Sequence, residues 1–477
     1  MIELNNRQKL ITSALNNQYF CVIFALNILI ITIMSIGNKY IKRHIDGRLQ
    51  EWAANTNRKT LMLRGARQVG KSSAVRELGK QFKYFVEVNF DENEDVKTLF
   101  EKSLSPQEIC QQLSFLYDTP IVPGETLLFF DEIQSCLPAI SKLRYFYEKY
   151  PELHLIAAGS LLEFALEEIP SYGVGRIRHL FMYPFSFEEF LGALSETRLV
   201  EAYRSASPSK PLFDAVHDKL LNRLRIFLIT GGMPSVIAQY AKDQNLLECQ
   251  ARLTDLIVSF RQDFAKYKKR VPSTRITEVF EAVAAQMEGK FVYERAASGS
   301  SSVQVKQALE LLIMAGLVYP VTHTAANGIP LGAEVNSRYR RMIMCDTGLY
   351  QRILGLDTTD LLISEDFKVV NKGAIAEMFV GLEILKSMSC YEPAALYCWA
   401  REKKIGNAQV DFVIQKAEQI IPIEVKSGTR GAMQSMREFM KEKNLHLGVR
   451  TSLENFSQYE DIDVYPLYAI SNLVINK

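Results

Sequence analysis

The sequence predicts an α/β protein of several domains, the first of which is built around a parallel sheet. The chain has 477 residues, more than a single core usually holds, so two to four domains are expected. Between about residues 40 and 194, apolar segments alternate with helical patterns, which is typical of βαβ units. Strands this apolar are buried on both faces, as in a parallel sheet between helices. The predicted strands are Leu61–Leu63, Phe85–Asn89, Thr126–Phe130 and His154–Ala158.

The composition is that of an ordinary folded protein. Hydrophobic residues make up 48% and charged residues 23% of the chain, and the formal net charge is +2. This balance gives no global electrostatic argument for nucleic-acid binding, although local patches remain open. The seven cysteines include no C-x-x-C pair, which argues against a disulfide framework or a zinc site. A cytoplasmic location is therefore expected.

Residues 1–39 form an N-terminal extension with an apolar run from Phe20 to Ile36. The run is at the short limit for a membrane span, and the basic residues after it would keep the remainder inside the cell. One alternative is therefore a protein tethered to the inner membrane and facing the cytoplasm. The other is that translation starts at Met34, so that residues 1–33 are upstream sequence.

A glycine-rich loop follows the first predicted strand. Residues 65–72 read Gly-Ala-Arg-Gln-Val-Gly-Lys-Ser and fit the motif G-x-x-x-x-G-K-[ST]. Backbone N–H groups of such a loop face a β-phosphate, Lys71 reaches the β- and γ-oxygens, and the Ser72 hydroxyl ligates Mg²⁺. A strand before the loop and a helix at Ser72–Gly79 supply the required context. The predicted nucleotide contacts from this segment are Gly65, Ala66, Arg67, Gln68, Val69, Gly70, Lys71, Ser72 and Ser73.

Two carboxylates follow another buried strand and predict hydrolysis as well as binding. Asp131 would hold Mg²⁺ and Glu132 would polarise the attacking water. Ser160, at the end of the next strand, is predicted to sense the γ-phosphate. Arg176 lies in a Gly-rich segment, where it either stabilises transition-state charge, in cis or across a subunit boundary, or pairs with a surface carboxylate.

The middle of the chain predicts two further units. Residues 205–270 begin with a polar break, continue as helices and end in a basic linker. Residues 271–350 contain a helical pattern at Val305–Met314, then Gly316, then a strand at Leu317–Val321. Helix, glycine and strand in this order are the layout of a winged helix. Such a domain either binds DNA or mediates packing, and both alternatives stay open.

A second group of charged residues lies near the C-terminus. The strand Gln409–Ile414 places Asp411 opposite its apolar side chains, and the next strand places Glu424 and Lys426 on one face. Two adjacent strands thus present Asp, Glu and Lys together. Metal-dependent phosphodiester cleavage uses such a set: the two carboxylates hold Mg²⁺ and the lysine offsets charge on phosphorus. Glu377, on an apolar helix face, is a third candidate; the alternative is a structural ion pair between Glu377 and Lys426.

Taken together, these strings resemble AAA-type ATPases of bacteria and archaea that carry a C-terminal domain of unknown function 4143. The resemblance runs from about Tyr40 to the C-terminus. It rests on the strings Tyr40-Ile-Lys-Arg43, Arg64-Gly-Ala-Arg-Gln-Val-Gly-Lys-Ser72, Asp131-Glu-Ile-Gln134, Gly175-Arg176, Tyr183-Pro-Phe-Ser-Phe-Glu-Glu-Phe190, Gly231-Gly-Met-Pro234, Asp346-Thr-Gly-Leu349, Val410-Asp-Phe412 and Ile423-Glu-Val-Lys426.

The resemblance implies four domains after the extension. They are an AAA-type P-loop NTPase core at 40–204, a helical lid at 205–270, a winged helix at 271–350 and a PD-(D/E)xK, restriction-endonuclease-like α/β domain at 365–477. It implies ATP and Mg²⁺ as cofactors, DNA as a partner, and a homo-oligomer in which an arginine completes the neighbouring site. It also implies nuclease-type roles for Glu377, Asp411, Glu424 and Lys426. The chain departs from the family pattern in two places. Phe185 stands where a leucine is usual, which should be harmless. Ala157-Ala158 stands where a β-branched residue and a threonine are usual, which weakens the case for γ-phosphate sensing.

Two functions are therefore predicted. The first is an ATP-hydrolysing AAA-type protein coupled to a C-terminal nuclease-like domain that acts on or binds nucleic acid. The alternative is an ATP-dependent regulatory switch or binding module, in which the nuclease-like fold does not cleave.

Overall fold

A five-stranded parallel sheet carries the N-terminal domain of this computed structural model. The structure describes residues 40–160, 162–169, 173, 175–267, 271–297, 299, 301–355, 372–401, 408–429 and 433–474. The apolar run Phe20–Ile36, and with it the choice between a membrane anchor and upstream sequence, lies outside these residues. The first elements along the chain are α1 (His44–Ala54), β1 (Thr60–Arg64), α2 (Lys71–Gly79), β2 (Tyr84–Asn89), α3 (Glu94–Glu101), α4 (Pro106–Leu116), β3 (Thr126–Asp131), α5 (Leu137–Lys149), β4 (His154–Ala158), α6 (Leu162–Glu168), β5 (Ile177–Phe181), α7 (Phe187–Ala193) and α8 (Thr197–Ser205).

The strand order is β2-β3-β4-β1-β5, and every neighbouring pair is parallel. The four strands predicted from apolar segments are all present, which confirms the parallel α/β prediction. Strand β4 lies between β1 and β3, with Leu63 opposite Ala158 and Phe130 opposite Ala157. Because the strands are parallel, their carboxyl ends meet at one edge. The glycine-rich loop, the Asp-Glu pair and Ser160 all follow that edge.

Aromatic side chains fill one side of this sheet. The rings of Phe90, Phe100 and Phe130 meet edge to face at centroid distances of 5.3–5.5 Å, and Phe146 of α5 packs on Phe130. All four are fully buried. Burial of each such side chain contributes about 1.5–3 kcal/mol to stability. This packing stabilises the sheet whose carboxyl edge bears the loops.

Three long helices follow the first domain: α9 (Asp214–Thr230), α10 (Pro234–Asp243) and α11 (Leu246–Asp263). Between α9 and α10, Gly231 has a φ of 68°, and an added Cβ would lie 2.0 Å from the Asp346 Oδ1 atom. Asp346 accepts hydrogen bonds from the N–H groups of Gly232, at 2.5 Å, and Leu349, at 2.9 Å. The Gly-Gly-Met-Pro and Asp-Thr-Gly-Leu strings are therefore two halves of one contact.

An eight-stranded mixed sheet occupies the remainder of the chain, in the order β12-β13-β11-β10-β9-β8-β6-β7. Its elements are α12 (Ser273–Ala285), α13 (Ser302–Met314), β6 (Val318–Thr324), β7 (Val335–Met344), α14 (Thr347–Ile353), α15 (Lys372–Ser387), β8 (Leu396–Ala400), β9 (Gln409–Lys416), β10 (Gln419–Val425), α16 (Gln434–Lys443), β11 (Gly448–Ser452), β12 (Ser457–Tyr459), β13 (Ile462–Pro466) and α17 (Ser471–Val474). Strand β6 pairs with β8 in parallel, so the sheet runs across the boundary predicted between residues 350 and 365.

The winged helix stays a prediction. Helices α12 and α13 pack together and precede the antiparallel pair β6–β7, as that layout requires. The same pair is, however, the end of the C-terminal sheet. Among the described residues, no helix is both long enough and apolar enough to cross a bilayer.

Candidate functional site

The glycine-rich loop lies at the carboxyl end of β1 and has the backbone conformation that its glycines allow. Gly65 has a φ of 143°, and an added Cβ would lie 2.1 Å from the carbonyl oxygen of Met182. Gly70 has a φ of 98° and directly precedes α2. A side chain at either position would strain the loop. The loop therefore delivers backbone N–H groups to the N-terminus of α2, where a phosphate is favoured.

Lys71 is the first residue of α2 and is buried. Its Nζ atom donates to the main-chain oxygens of Gly65 and Ala66, both at 2.8 Å. Burial lowers the pKa of Lys71 to about 8, against the opposing effects of Glu132 and Asp131. The ammonium group is therefore held inside the loop by carbonyl oxygens, which phosphate oxygens can replace.

Asp131 and Glu132 follow β3 as predicted. Burial raises the pKa of the Asp131 carboxylate, and the neighbouring Ser72 hydroxyl opposes that rise. A hydroxyl beside a buried carboxylate is an oxygen pair that suits Mg²⁺ with phosphate ligands. Ser72 and Asp131 thus fit the metal predicted at this position.

Glu132 has a φ of 47°, which turns it from the strand toward Ser160. The Ser160 hydroxyl donates to Glu132 Oε2 at 3.2 Å, and Gln134 Nε2 donates to the same atom at 2.5 Å. An added Cβ on Gly159 would lie 2.0 Å from Gln134 Oε1, so the glycine before Ser160 is needed for this approach. The structure thus brings the predicted base and the predicted γ-phosphate sensor together.

Arg176 lies on the segment before β5. Its Nε atom lies 2.9 Å from Glu148 Oε1 on α5, and its side chain is half exposed. Of the two alternatives stated for Arg176, the surface ion pair is the arrangement present in this chain. Ser73 is exposed on α2.

The other loop residues contact elements outside the sheet. Arg67 forms an ion pair with Asp263 at the end of α11, and Gln68 Nε2 lies 3.3 Å from Ser259 Oγ. An added Cβ on Gly316, which follows α13, would lie 3.3 Å from Ala66. Helix α11 and the residue Gly316, which lies between α13 and β6, therefore both adjoin the loop.

Arg43 is a loop contact that the sequence did not assign. Its buried guanidinium donates to the main-chain oxygens of Val69, at 3.0 Å, and Tyr183, at 2.7 Å. The Nε atom pairs with Glu189 at 3.0 Å, and the group lies 4.0 Å above the centre of the Phe185 ring. The sequence marked Arg43 only as part of the Tyr-Ile-Lys-Arg string. Tyr183 and Glu189 lie 140 and 146 positions from it along the chain, so these contacts could be found only from the fold.

Helix α15 of the C-terminal unit docks on the same segment. Lys386 Nζ donates to the Phe185 oxygen at 2.8 Å, and Glu383 accepts the N–H of Phe187 at 3.2 Å. Glu383 and Lys386 pair at 3.2 Å with 3% and 6% of their side chains exposed. A path of buried polar contacts thus runs from Val69 in the loop, through Arg43 and residues 183–187, to α15.

The C-terminal carboxylates come from two adjacent strands, as predicted. Strands β9 and β10 are antiparallel, with Phe412 opposite Ile423, so Asp411 and Glu424 lie next to each other. Asp411 Oδ2 accepts the N–H of Val425 at 2.8 Å, and Lys426 Nζ lies 2.7 Å from Glu424 Oε1. Burial, followed by the charge of Asp411, raises the pKa of Glu424.

Glu377 does not pair with Lys426, the partner that the sequence suggested. Its Oε2 atom lies 2.6 Å from Nη1 of Arg341 on β7, and Asp411 Oδ1 lies 3.9 Å from the same nitrogen. Arg341 also donates to the main-chain oxygen of Asp411. Burial and the charge of Asp411 raise the pKa of Glu377, while Arg341 opposes that rise.

This cluster does not fit a divalent cation as it is arranged. An arginine lies between two of the three carboxylates, and Lys426 pairs with the third. Within the described ranges, no group of three or more His, Cys, Asp or Glu residues is placed to hold a metal ion. The nuclease-type roles and the metal role of Asp411 and Glu424 therefore remain predictions without geometric support.

Comparison with known protein families matches three parts of the chain. Residues 57–191 match an AAA domain, residues 221–360 match domain of unknown function 8612, and residues 372–470 match domain of unknown function 4143. The chain contains an AAA domain and a domain of unknown function 4143. The second match spans the boundary predicted at residue 270 between the lid and the winged helix. No curated protein matches the chain.

Several solved structures are similar. A Walker-type ATPase of Pyrococcus abyssi is 16% identical, with 66% of this chain and 96% of that chain covered and a TM-score of 0.42. A RuvB variant of Thermotoga maritima is 13% identical, with 62% and 90% covered and a TM-score of 0.28. Drosophila ORC bound to DNA is 12% identical, with 65% and 85% covered and a TM-score of 0.24. With TM-scores this low, none of them supports an argument about this chain.

Proposed function

We propose that the protein is a Mg²⁺-dependent ATP hydrolase of the AAA type that transmits its nucleotide state to the C-terminal domain. The observation that carries the proposal is the convergence of Lys71, Ser72, Asp131, Glu132 and Ser160 at one edge of the parallel sheet. Lys71 exchanges its carbonyl partners for phosphate oxygens, and Ser72 with Asp131 holds the metal. When bound, Mg²⁺ neutralises charge that develops on the phosphates.

Glu132 acts on the attacking water in this proposal. Its carboxylate accepts hydrogen bonds from the Ser160 hydroxyl and from the Gln134 amide. A γ-phosphate near Ser160 would compete for that hydroxyl and would remove one of the two hydrogen bonds to Glu132 Oε2, leaving the bond from Gln134. Ser160 would thus report the presence of the γ-phosphate directly to the base.

The proposed partner of the C-terminal unit is nucleic acid, and DNA in particular, with a homo-oligomer as the working form. The alternative is a switch or binding module whose nuclease-like fold does not cleave. A specific observation favours the alternative: Arg341 fills the space between Glu377 and Asp411.

One preparation tests both parts. ATP hydrolysis is measured with and without DNA, and cleavage of DNA and RNA is measured with Mg²⁺ and with Mn²⁺. Lys71→Ala should abolish hydrolysis, and wild-type turnover in this variant would overturn the ATPase assignment. If the domain cleaves, Asp411→Ala or Lys426→Ala removes cutting without a change in ATP hydrolysis. Absence of cutting by the wild type leaves the non-cleaving alternative.

A further inference from the structure

Arg341 is the central cation of the C-terminal carboxylate cluster, and it comes from a strand outside the β9–β10 pair. It lies on β7, opposite Val321 of β6, and only 4% of its side chain is exposed. A buried guanidinium costs several kcal/mol unless charged or polar partners compensate it. The groups around Arg341 must therefore offset the free-energy cost of burying its charge.

The compensation comes from three directions. Nη1 pairs with Glu377 of α15 at 2.6 Å and lies 3.9 Å from Asp411 Oδ1, and Nη2 donates to the Asp411 main-chain oxygen. The guanidinium carbon lies 5.4 Å from the centre of the Phe412 ring, within cation–π range. One side chain of β7 thus joins α15 to β9.

Charge counting gives the same picture. Three carboxylates, Glu377, Asp411 and Glu424, face two cations, Arg341 and Lys426. With all three carboxylates ionised, the cluster without Arg341 would carry two excess negative charges, which one divalent cation would neutralise. With Arg341 in place, a metal ion from solution would have to compete with the guanidinium, which is part of the chain and is always present.

We propose that Arg341 is the resident cation of this cluster and that it takes the place of a divalent metal. The cluster then stabilises the packing of the β6–β7 hairpin against strand β9 and helix α15. This inference does not depend on the nucleotide site, so its failure would leave the proposed ATP hydrolysis untouched.

The test measures Mn²⁺ uptake by the full chain in the absence of nucleotide. Uptake is measured by calorimetry and by the loss of the EPR signal of unbound Mn²⁺. The variants are Arg341→Met, Asp411→Asn, and the neighbour Arg340→Met as a matched control, because Arg340 pairs instead with Glu310. Wild type and Arg340→Met are expected to bind no Mn²⁺ at this cluster, so the Asp411→Asn substitution should not lower their Mn²⁺ uptake. Arg341→Met is expected to take up one Mn²⁺ and to melt at a higher temperature with Mn²⁺ than without it.

Uptake of Mn²⁺ by the wild type that Asp411→Asn abolishes would overturn the proposal. Arg341→Met leaves the partly buried Glu377 without its cation and is at risk of not folding. Arg341→Met with Glu377→Gln avoids that charge and keeps Asp411 and Glu424. This double variant is expected to take up Mn²⁺, and a Mn²⁺ response identical to that of the wild type would also overturn the proposal.

Discussion

The Nζ atom of Lys386 lies 2.8 Å from the main-chain oxygen of Phe185. This contact joins helix α15 of the C-terminal unit to the segment that leaves the five-stranded parallel sheet. Glu383, one turn earlier, accepts the N–H of Phe187 and pairs with Lys386. Arg43 donates to the same segment at Tyr183 and to the glycine-rich loop at Val69. A change in the loop therefore has a buried, polar route to α15, which also bears Glu377.

The first prediction concerns the Glu383–Lys386 pair. Glu383→Leu or Lys386→Met alone leaves one buried charge without its partner and should cost about 3–5 kcal/mol of unfolding free energy. The double variant removes both charges, so its cost should be smaller than the sum of the two single costs. Denaturant unfolding of all four proteins gives the coupling.

The matched control for that cycle is the exposed pair of Glu77 and Lys80 at the C-terminal end of α2. An exposed ion pair contributes about 0–1 kcal/mol, so Glu77→Leu and Lys80→Met should show almost no coupling. Additive costs for Glu383 and Lys386 would contradict the view that they stabilise the interface as a unit.

The second prediction concerns Glu132. Glu132→Gln keeps the shape of the site and its contacts with Ser160, but it removes the carboxylate that acts on water. ATP affinity should stay within a few-fold, while turnover should fall about 10²–10⁴-fold. Binding by calorimetry and phosphate release separate the two effects. Glu125→Gln, which alters a surface pair with Lys83, is the control and should retain turnover. Wild-type turnover in Glu132→Gln would contradict the assigned role.

The third prediction concerns Arg176. Because its guanidinium pairs with Glu148 on the surface, Arg176→Ala should lower ATP turnover by less than about tenfold. Loss of an arginine that stabilises the transition state would cost about 10³–10⁵-fold. Turnover is measured over a range of protein concentrations, because an arginine supplied by a neighbouring copy of the chain would act only when the copies associate. A loss of about 10³-fold or more would restore the transition-state role.

The fourth prediction is a pH dependence that arises from Glu189. Burial opposes ionisation, but Arg43 and His44 outweigh it and lower the pKa of Glu189 to about 2. A depressed carboxyl pKa gives stability that is fully present above the ordinary value near 4.5 and is lost as pH falls toward 2. The shift corresponds to about 3 kcal/mol. Denaturant unfolding of wild type and Glu189→Gln should differ by about that amount at pH 7.

The difference between the two proteins should shrink as pH falls from 4.5 toward 2, because the wild-type carboxylate then takes up its proton. Glu77→Gln changes an exposed carboxylate and should show no comparable effect. A difference between wild type and Glu189→Gln that is constant across this range would mean that Glu189 stabilises through shape alone.

Much of the first domain was predictable because its signals are local. Four apolar segments gave four strands, and the glycines of the loop and the carboxylates after β3 appear directly in the sequence. In the C-terminal unit, period-two alternation placed Asp411 and Glu424 on facing strands. Each of these inferences needs only neighbouring residues, so one sequence was enough.

The parts that the sequence did not predict depend on long-range register. Arg341 reads as one of several basic residues before an apolar run, and only the pairing of β7 with β6 brings it to Glu377. The three carboxylates and the lysine led instead to the prediction of a metal site, and nothing near them in the sequence pointed to an arginine. Glu383 and Lys386 likewise stand on an apolar helix, and their partners are some 200 residues away.

Calorimetric titration of the purified, folded chain with ATP and Mg²⁺ tests the central claim most directly. The account predicts one ATP per chain for the wild type and for the surface variant Lys80→Ala, and a loss of binding in Lys71→Ala. No uptake of ATP by the wild type, or the same affinity in Lys71→Ala, would contradict it.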